Sequence, residues 1–442
     1  MATQPKSLTT PIGRITLESR SIAQLAEQAA LVQAQRALTR ERAWINEQQL
    51  LLCRVPAPTF FEQQRAEWFS QQLQLLGWDA KLDRAGNVLA SFRPGGAAAS
   101  AAESSVPQPT IIVSAHLDTV LAPSRPEEVF YGPDGRLRGP GVSDNGTGLA
   151  ALLALAKILP EIPALHGLAS SLLLVANVGE EGEGNLSGMR YLCRQAQLLS
   201  RIAGFLVLDG PSTDHVTVQA LASRRFEISF SGPGGHSWND YGVPNPVHAV
   251  SEVISSFVQA AGARLTSERK IRCSYNFGIV EGGTSVNSIP SSARAKLDLR
   301  SEEPALLEEI AALLTAAVER TLERENRISK GERLTAKIKE LGSRPGGKLP
   351  EQAPLLKTIQ AVDSYLNIRS RVDCASTDAN VPLSMGLPAV SIGAGGQGGG
   401  AHTSQEWYQP DTRDLGLRRI LLVLAAFAEY SRQAQPGFVT GG

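Results

Sequence analysis

Residues 111–118 read IIVSAHLD. A short run of the buried type, IIVSA, stops at His116, and Asp118 follows two residues later. So brief an apolar run predicts a strand covered on both faces, as in a parallel sheet. The same pattern recurs downstream. LLLVANV at 172–178 is followed by Glu180 and Glu181, FLVL at 205–208 by Asp209, and PAVSIG at 388–393 by a glycine run and His402. Helical patterns separate these runs: LAALLALAKIL after Asp144, GMRYLCRQAQLL at 188–199, and segments at 352–366 and 413–433. Strands alternating with helices predict an α/β unit, its mostly parallel sheet covered by helices on both faces. In such a sheet, ligands bind outside the carboxyl ends of the strands. His116, Asp118, Glu180, Glu181, Asp209 and His402 would then meet at one edge, joined by Asp144 at the start of a helix.

Between residues 223 and 340 the pattern changes. FEISFSG at 226–232 alternates, and NPVHAVSEVISSFVQAAGA at 245–263 reads as a helix. IRCSYNFGIVEGG at 271–283 and ARAKLDLR at 293–300 read as paired strands. PALLEEIAALLTAAVERTLER at 304–324 is a long helix and RLTAKIKEL at 333–341 a last strand. This β-α-β-β-α-β order is ferredoxin-like. The expected organisation is a discontinuous main domain, 1–222 with 341–442, interrupted by a small α+β lid at 223–340. At the start, Ile22, Leu25, Ala26, Ala29 and Val32 form an apolar stripe that predicts a helix across 16–53. A second helix is expected at 60–76 and a strand at 88–92. The Gly/Ala/Ser/Pro-rich stretch 94–110 reads as a surface loop.

The chain has 442 residues, 42% hydrophobic and 19% charged, enough for more than one core. Forty-three Lys and Arg balance 43 Asp and Glu, which argues against a nucleic-acid footprint or a polybasic membrane anchor. No apolar run reaches the ~18 residues of a membrane span. The opening MATQPKSLTTPIGR lacks the apolar segment of a secretory signal. Cys53, Cys193, Cys273 and Cys374 are scattered, without a CxxC pair. They read as buried free thiols in a reducing cytoplasm.

Two histidines and several carboxylates, with no cysteine, suit a divalent ion of borderline hardness: zinc first, with cobalt and manganese also served. The carboxylates suffice for two ions sharing one ligand. In His116-Leu117-Asp118 the side chains at i and i+2 of an extended segment face the same way. Asp118 can then accept from the imidazole and fix its tautomer. Adjacent Glu180 and Glu181 suggest a division of labour, one on metal and one facing a water as general base.

These motifs, in order, resemble peptidase family M-twenty: aminoacylase, carboxypeptidase G, peptidase T, acetylornithine deacetylase and succinyl-diaminopimelate desuccinylase. The resemblance rests on SAHLDTV, GPGVSDNGTGLAALLALA, NVGEEGEGNLSGMRYL, LDGP, GPGGHSW, GGTSVNSIP, LDLR and GGGAHTSQEW, and covers the chain beyond about residue 45. The stretch GEEGEGNL leans toward peptidase T-like members. The resemblance implies that His116, Asp144 and Asp209 hold one metal ion, and that Asp144, Glu181 and His402 hold the second, with Asp144 bridging. It implies Glu180 as general base and Asp118 as the residue orienting His116. From the lid, His236 would reach the partner subunit's site in a homodimer to stabilise the oxyanion. Asn287 and Arg300 would bind substrate, the arginine gripping a carboxylate. The implied reaction is hydrolysis of an amide. An exopeptidase on di- or tripeptides is preferred, with an N-acyl amino-acid deacylase as the alternative. A catalytically silent binding protein on the same fold is the remote one.

Plainer readings apply elsewhere. Arg300 could simply pair with Asp298. His166 reads as solvated, His215 as structural, and His248 as packed on the lid. Asp378 reads as a cap for a helix beginning NVPL, with a place in the substrate pocket as the lesser reading. GAGGQG at 393–398 mimics a dinucleotide-binding loop, but GGAHTSQEW after it does not open a helix.

Overall fold

The alternating runs fold side by side. In the computed structural model, which describes residues 19–95, 110–265, 271–329 and 331–434, four parallel strands form the middle of a nine-stranded sheet. Their spatial order is Leu172–Asn177, Thr110–His116, Ile202–Leu208, Ala389–Ile392. The expectation of a mostly parallel sheet holds for this middle and fails at its flanks. Asp79–Leu82 and Val88–Ser91 add an antiparallel hairpin, as the short turn between them requires. On the other side His215–Ala220 pairs antiparallel with 389–392 and carries Arg371–Ala375 in parallel.

Helices flank this sheet. In Gly146–Glu161 nearly every residue from Gly146 to Leu159 is buried. A helix apolar all round belongs inside a large protein; this one touches the 110–116 and 202–208 strands and the helix Arg42–Arg54. Its start is fixed from both sides. The Asn145 side chain accepts from Gly148 N at 3.0 Å and donates to Leu208 O at 2.7 Å. A Cβ on Gly148 would stand 2.5 Å from Asn145 Oδ1 and 2.7 Å from Leu208 O, so only glycine fits this approach. No single helix among the described residues is long and apolar enough to cross a membrane.

The helix expected across 16–53 is instead three: Ser19–Ala26, Ala29–Arg40 and Arg42–Arg54. Gln28 is extended, and Glu41 is at once the end of one helix and the start of the next. Periodicity reads through these breaks because Ile22, Leu31, Leu38, Ile45 and Leu52 all face buried surroundings. The segment 188–199 likewise splits into Ser187–Leu192 and Ala196–Leu199. Most of the 94–110 stretch lies outside the described residues. Cys53 and Cys193 are buried as expected, whereas Cys273 and Cys374 are only half-buried; all four are free.

The middle of the chain forms a second, antiparallel sheet with its own core. The spatial order is Cys273–Gly282, Ser292–Ser301, Ala222–Ser231, Thr335–Arg344. The helices Pro246–Arg264 and Pro304–Ile328 pack on each other and on this sheet, giving the ferredoxin-like order. Phe257, fully buried, meets Tyr275 and Phe277 edge-on at 5.4 and 5.6 Å between centroids. Each such pair adds about 0.5–1.5 kcal/mol beyond burial. The opposite face, with Arg225, Lys296, Asp298 and Arg300, lies toward the ends of the parallel strands.

Candidate metal centre

His116 is the last residue of the 110–116 strand and is buried. Its Nδ1 lies 2.9 Å from the carbonyl oxygen of Asp118. A carbonyl only accepts, so Nδ1 carries a proton and Nε2 is the ring nitrogen turned to the site, the one that would offer its lone pair to a bound ion. Nε2 stands 3.0 Å from Asp144 Oδ1 and 3.8 Å from Asp209 Oδ1. Across the site, His402 Nε2 stands 3.0 Å from Asp144 Oδ2 and 2.8 Å from Glu181 Oε1. Two donor clusters result: His116 with Asp144 and Asp209, and Asp144 with Glu181 and His402. Within each, the ligating atoms lie within 4.8 Å of one another. Asp144 belongs to both and turns one oxygen toward each histidine. A third, overlapping cluster joins His116 to Glu180 and Glu181.

Asp118 acts differently from its expected part. Its carboxylate is 3.6 Å from His116 Nδ1, and its backbone carbonyl makes the hydrogen bond to the ring. The carboxylate oxygens instead accept from the backbone N–H groups of Glu180 and Glu181, at 2.9 and 2.8 Å, and from Thr59 Oγ1 at 3.0 Å. One residue thus orients the imidazole and ties down the loop bearing both glutamates.

The two glutamates take different partners. Glu181 faces His402, while Glu180 Oε1 accepts from Arg344 Nη1 at 2.8 Å. Arg344 also donates to Ser376 Oγ at 3.0 Å and to the backbone carbonyl of Glu180. It is the last residue of the second sheet's 335–344 strand, so the two sheets meet at this glutamate.

The electrostatics are those of a site short of positive charge. Burial opposes a charged His116, yet the surrounding carboxylates of Asp118, Asp144 and Asp209 raise its pKa well above the usual imidazole value. The Asp144 hydrogen bond, helped by Glu181, lifts His402 to about 9. Burial pushes Glu181 up, and pushes Glu180 well up against the pull of Arg344 and His116. Crowded carboxylates that recruit protons onto neighbouring histidines are a donor set suited to cations. Imidazole and carboxylate donors fit zinc, cobalt or manganese.

A cavity of about 360 Å³ opens over these groups. It is lined by His116, Asp144, Glu180, Glu181, Asp209 and His402 from the first sheet's side, and by Arg225, Arg300 and Arg344 from the second's. Arg300 therefore reaches the site, and it also makes the plainer ion pair, 2.8 Å from Asp298. His236 and Asn287 do not line this cavity. They sit together on an exposed two-stranded ribbon, where His236 pairs with Ser288 and Ser237 N donates to Asn287 O at 3.0 Å.

Several residues of the site escaped sequence reasoning. Glu406, buried, accepts from Gly141 N, Ser143 N and Asp144 N at 2.8, 2.8 and 2.9 Å. It fixes the loop that delivers Asp144, from a position four residues beyond His402. Its place in HTSQEW was the available signal. Arg225 and Arg344 lie in strands with no local motif. Asp378 is no helix cap: it is buried, its Oδ2 accepting from Asn177 Nδ2 at 2.7 Å, and burial lifts its carboxyl to about 7. His166 is half-buried rather than fully solvated. Its Nε2 lies 2.9 Å from Pro160 O and its ring stands 5.2 Å from Phe92. His248 is exposed rather than packed, because it falls on the outer side of its helix. His215 opens a strand and contacts Asp214 at 3.1 Å. The glycines at 393–398 lead into a short strand, Gln397–Gly399, and not into a helix.

A family model described as Peptidase family M20/M25/M40 matches residues 112–426. A "Probable carboxypeptidase" of Uncinocarpus reesii is 27% identical over 259 residues, 55% of this chain and 56% of its own. A protein of Aeropyrum pernix, named as a candidate LysW-lysine/LysW-ornithine hydrolase, is 28% identical over 255 residues, 58% of this chain and 62% of its own. The chain thus spans little more than half the length of the curated relatives it matches. Among solved structures, a tripeptidase from Staphylococcus aureus superposes with a TM-score of 0.69 at 18% identity, covering 88% of this chain and 99% of that one. A dinuclear metal-binding peptidase from Bacillus subtilis gives 0.61 at 15% identity, covering 88% and 99%. At such identities the likeness is one of fold.

Proposed function

Because the chain belongs to peptidase family M20/M25/M40, whose model matches residues 112–426, we propose that it is a metal-dependent amide hydrolase, an exopeptidase acting on small peptides. The observation that carries this reading is the pair of donor clusters sharing Asp144, with Glu180 beside them. His116, Asp144 and Asp209 would hold one divalent ion, and Asp144, Glu181 and His402 the other. When bound, such ions supply Lewis-acid polarisation of the scissile carbonyl and acidify the attacking water.

The chain's own residues do the rest. Glu180 takes a proton from the attacking water and delivers it to the leaving amine. Arg344 and the Asp118 carboxylate hold Glu180 in place, through its side chain and its backbone N–H. Arg300 grips a substrate carboxylate. His236, outside the cavity within one chain, would serve the partner subunit's site in a homodimer and support the oxyanion there, and Asn287 would bind substrate. Residues 223–340 would act as the lid between 1–222 and 341–442. Zinc is the preferred ion, and the free cysteines favour a cytoplasmic setting.

A deacylase acting on N-acyl amino acids is the second reading, favoured by the Aeropyrum pernix relative's name. Glu180→Gln tests the shared chemistry. Turnover is expected to fall about 10²–10⁴-fold while metal binding persists. Near-normal turnover in this variant would refute Glu180 as the base.

A further inference from the structure

Beside the metal centre lies a second cavity of about 250 Å³, between the Gly182–Glu183 loop and the open face of the second sheet. Asn276, Lys296, Asp298 and Arg225 line its polar side and Ile279, Leu297 and Leu341 its apolar side, and Arg225 and Gly182 also border the metal-centre cavity. The two spaces adjoin at these residues.

Arg225 and Arg300 are held by one carboxylate. Asp298 Oδ1 accepts from Arg225 Nε at 3.0 Å, and its Oδ2 accepts from Arg300 Nε at 2.8 Å. Arg225 Nη1 donates to Gly182 O at 3.0 Å. Among the described residues, Arg225 Nη2 and both Nη groups of Arg300 keep no protein acceptor. Asp298 thus fixes two guanidinium planes through their inner nitrogens and leaves outer N–H groups at the junction of the cavities. Lys296 has only a loose partner, Glu227 at 4.0 Å. Three carboxylates stand near these three cations: Asp298 and Glu183 on the cavity wall, and Glu227 beside Lys296, so it is the unengaged outer N–H groups rather than a net charge that mark the junction. In the metal-centre cavity Val120 is the sole large apolar side chain among the lining residues, so a hydrophobic group gains little there. A preset, half-buried guanidinium edge suits a carboxylate.

We infer that this second cavity is a subsite for an acidic side chain, and that the favoured substrate is an amide of glutamate or aspartate bearing a free α-carboxylate. Arg300 takes the α-carboxylate, and Arg225 with Lys296 takes the side-chain carboxylate. The inference rests on the hydrolase reading for turnover, and on the geometry alone for binding.

Ala-Glu, Ala-Gln, Ala-Leu and Ala-Lys separate the two. Binding is measured by calorimetry on metal-loaded Glu180→Gln protein, and turnover on the wild type. Charge-assisted bonds of this kind are worth roughly tenfold to a hundredfold. Ala-Glu is therefore expected to exceed Ala-Gln by about that factor in affinity and in kcat/KM. In Arg225→Met and Lys296→Met the Glu-to-Gln ratio should collapse toward one. Equal handling of Ala-Leu or Ala-Lys, or a ratio that survives both substitutions, would overturn the subsite. Glu-selective binding without cleavage of any peptide would support the subsite and count against the hydrolase reading.

Discussion

Glu406 spends both carboxylate oxygens on backbone N–H groups of residues 141–144, and it does so while buried. Three N–H donors aimed at one carboxylate make a rigid support for Asp144, the residue common to both donor clusters. Glu406→Gln keeps the shape but turns an amide NH₂ toward one of those donors. Groups that support a metal ligand typically matter about 10–100-fold in metal affinity. That loss is the expected outcome, read by titrating zinc against a competing chelator, with secondary structure unchanged by circular dichroism. Undiminished affinity would mean that the loop holds Asp144 without this clamp. The sequence offered His116, Asp118, Asp144, Glu180, Glu181, Asp209 and His402 because each follows an apolar run or opens a helix. Glu406, Arg225 and Arg344 could not be picked out in that way. They act on partners 262, 73 and 164 residues distant, in part through backbone atoms that leave no mark on side-chain pattern.

At the scale of elements, the parallel strands were legible because they are buried on both faces and read as unbroken apolar runs. The 215–220 and 371–375 strands were not. They pair with each other across about 150 residues and carry ordinary polar residues such as Thr217 and Asp373, whose side chains bond at 2.6 Å. The helices Pro354–Tyr365 and Arg413–Ala434 were anticipated, but not what joins them. Arg419 Nε and Nη2 each lie 2.6 Å from the Asp363 carboxylate, with Arg419 fully buried. Removing one partner from a buried pair strands the other's charge. Asp363→Ala should therefore cost about 3–5 kcal/mol in urea unfolding, whereas replacing the pair by Leu and Met should recover most of that loss. A loss under about 1 kcal/mol for the single variant would show that water reaches Arg419 when its partner is gone.

At the scale of the molecule, two cores meet over one polar cavity. The first sheet brings the carboxylates and imidazoles, and the second brings Arg225, Arg300 and Arg344. This division was foreseeable from the change of pattern at 223–340, since strand-and-helix alternation gives way to the ferredoxin-like order. The meeting itself was not, because it depends on how two independent cores dock. The anionic half suits cations, and the cationic half suits the acidic end of a substrate. The central claim is that amide hydrolysis requires ions in both donor clusters. The decisive measurement follows product release by mass spectrometry from a panel of dipeptides, tripeptides and N-acyl amino acids, while zinc or manganese is titrated into chelator-stripped protein. The account predicts no product without metal, and turnover that rises until two ions are bound per chain. Full turnover in stripped protein, or saturation with no product from any amide in the panel, would contradict it.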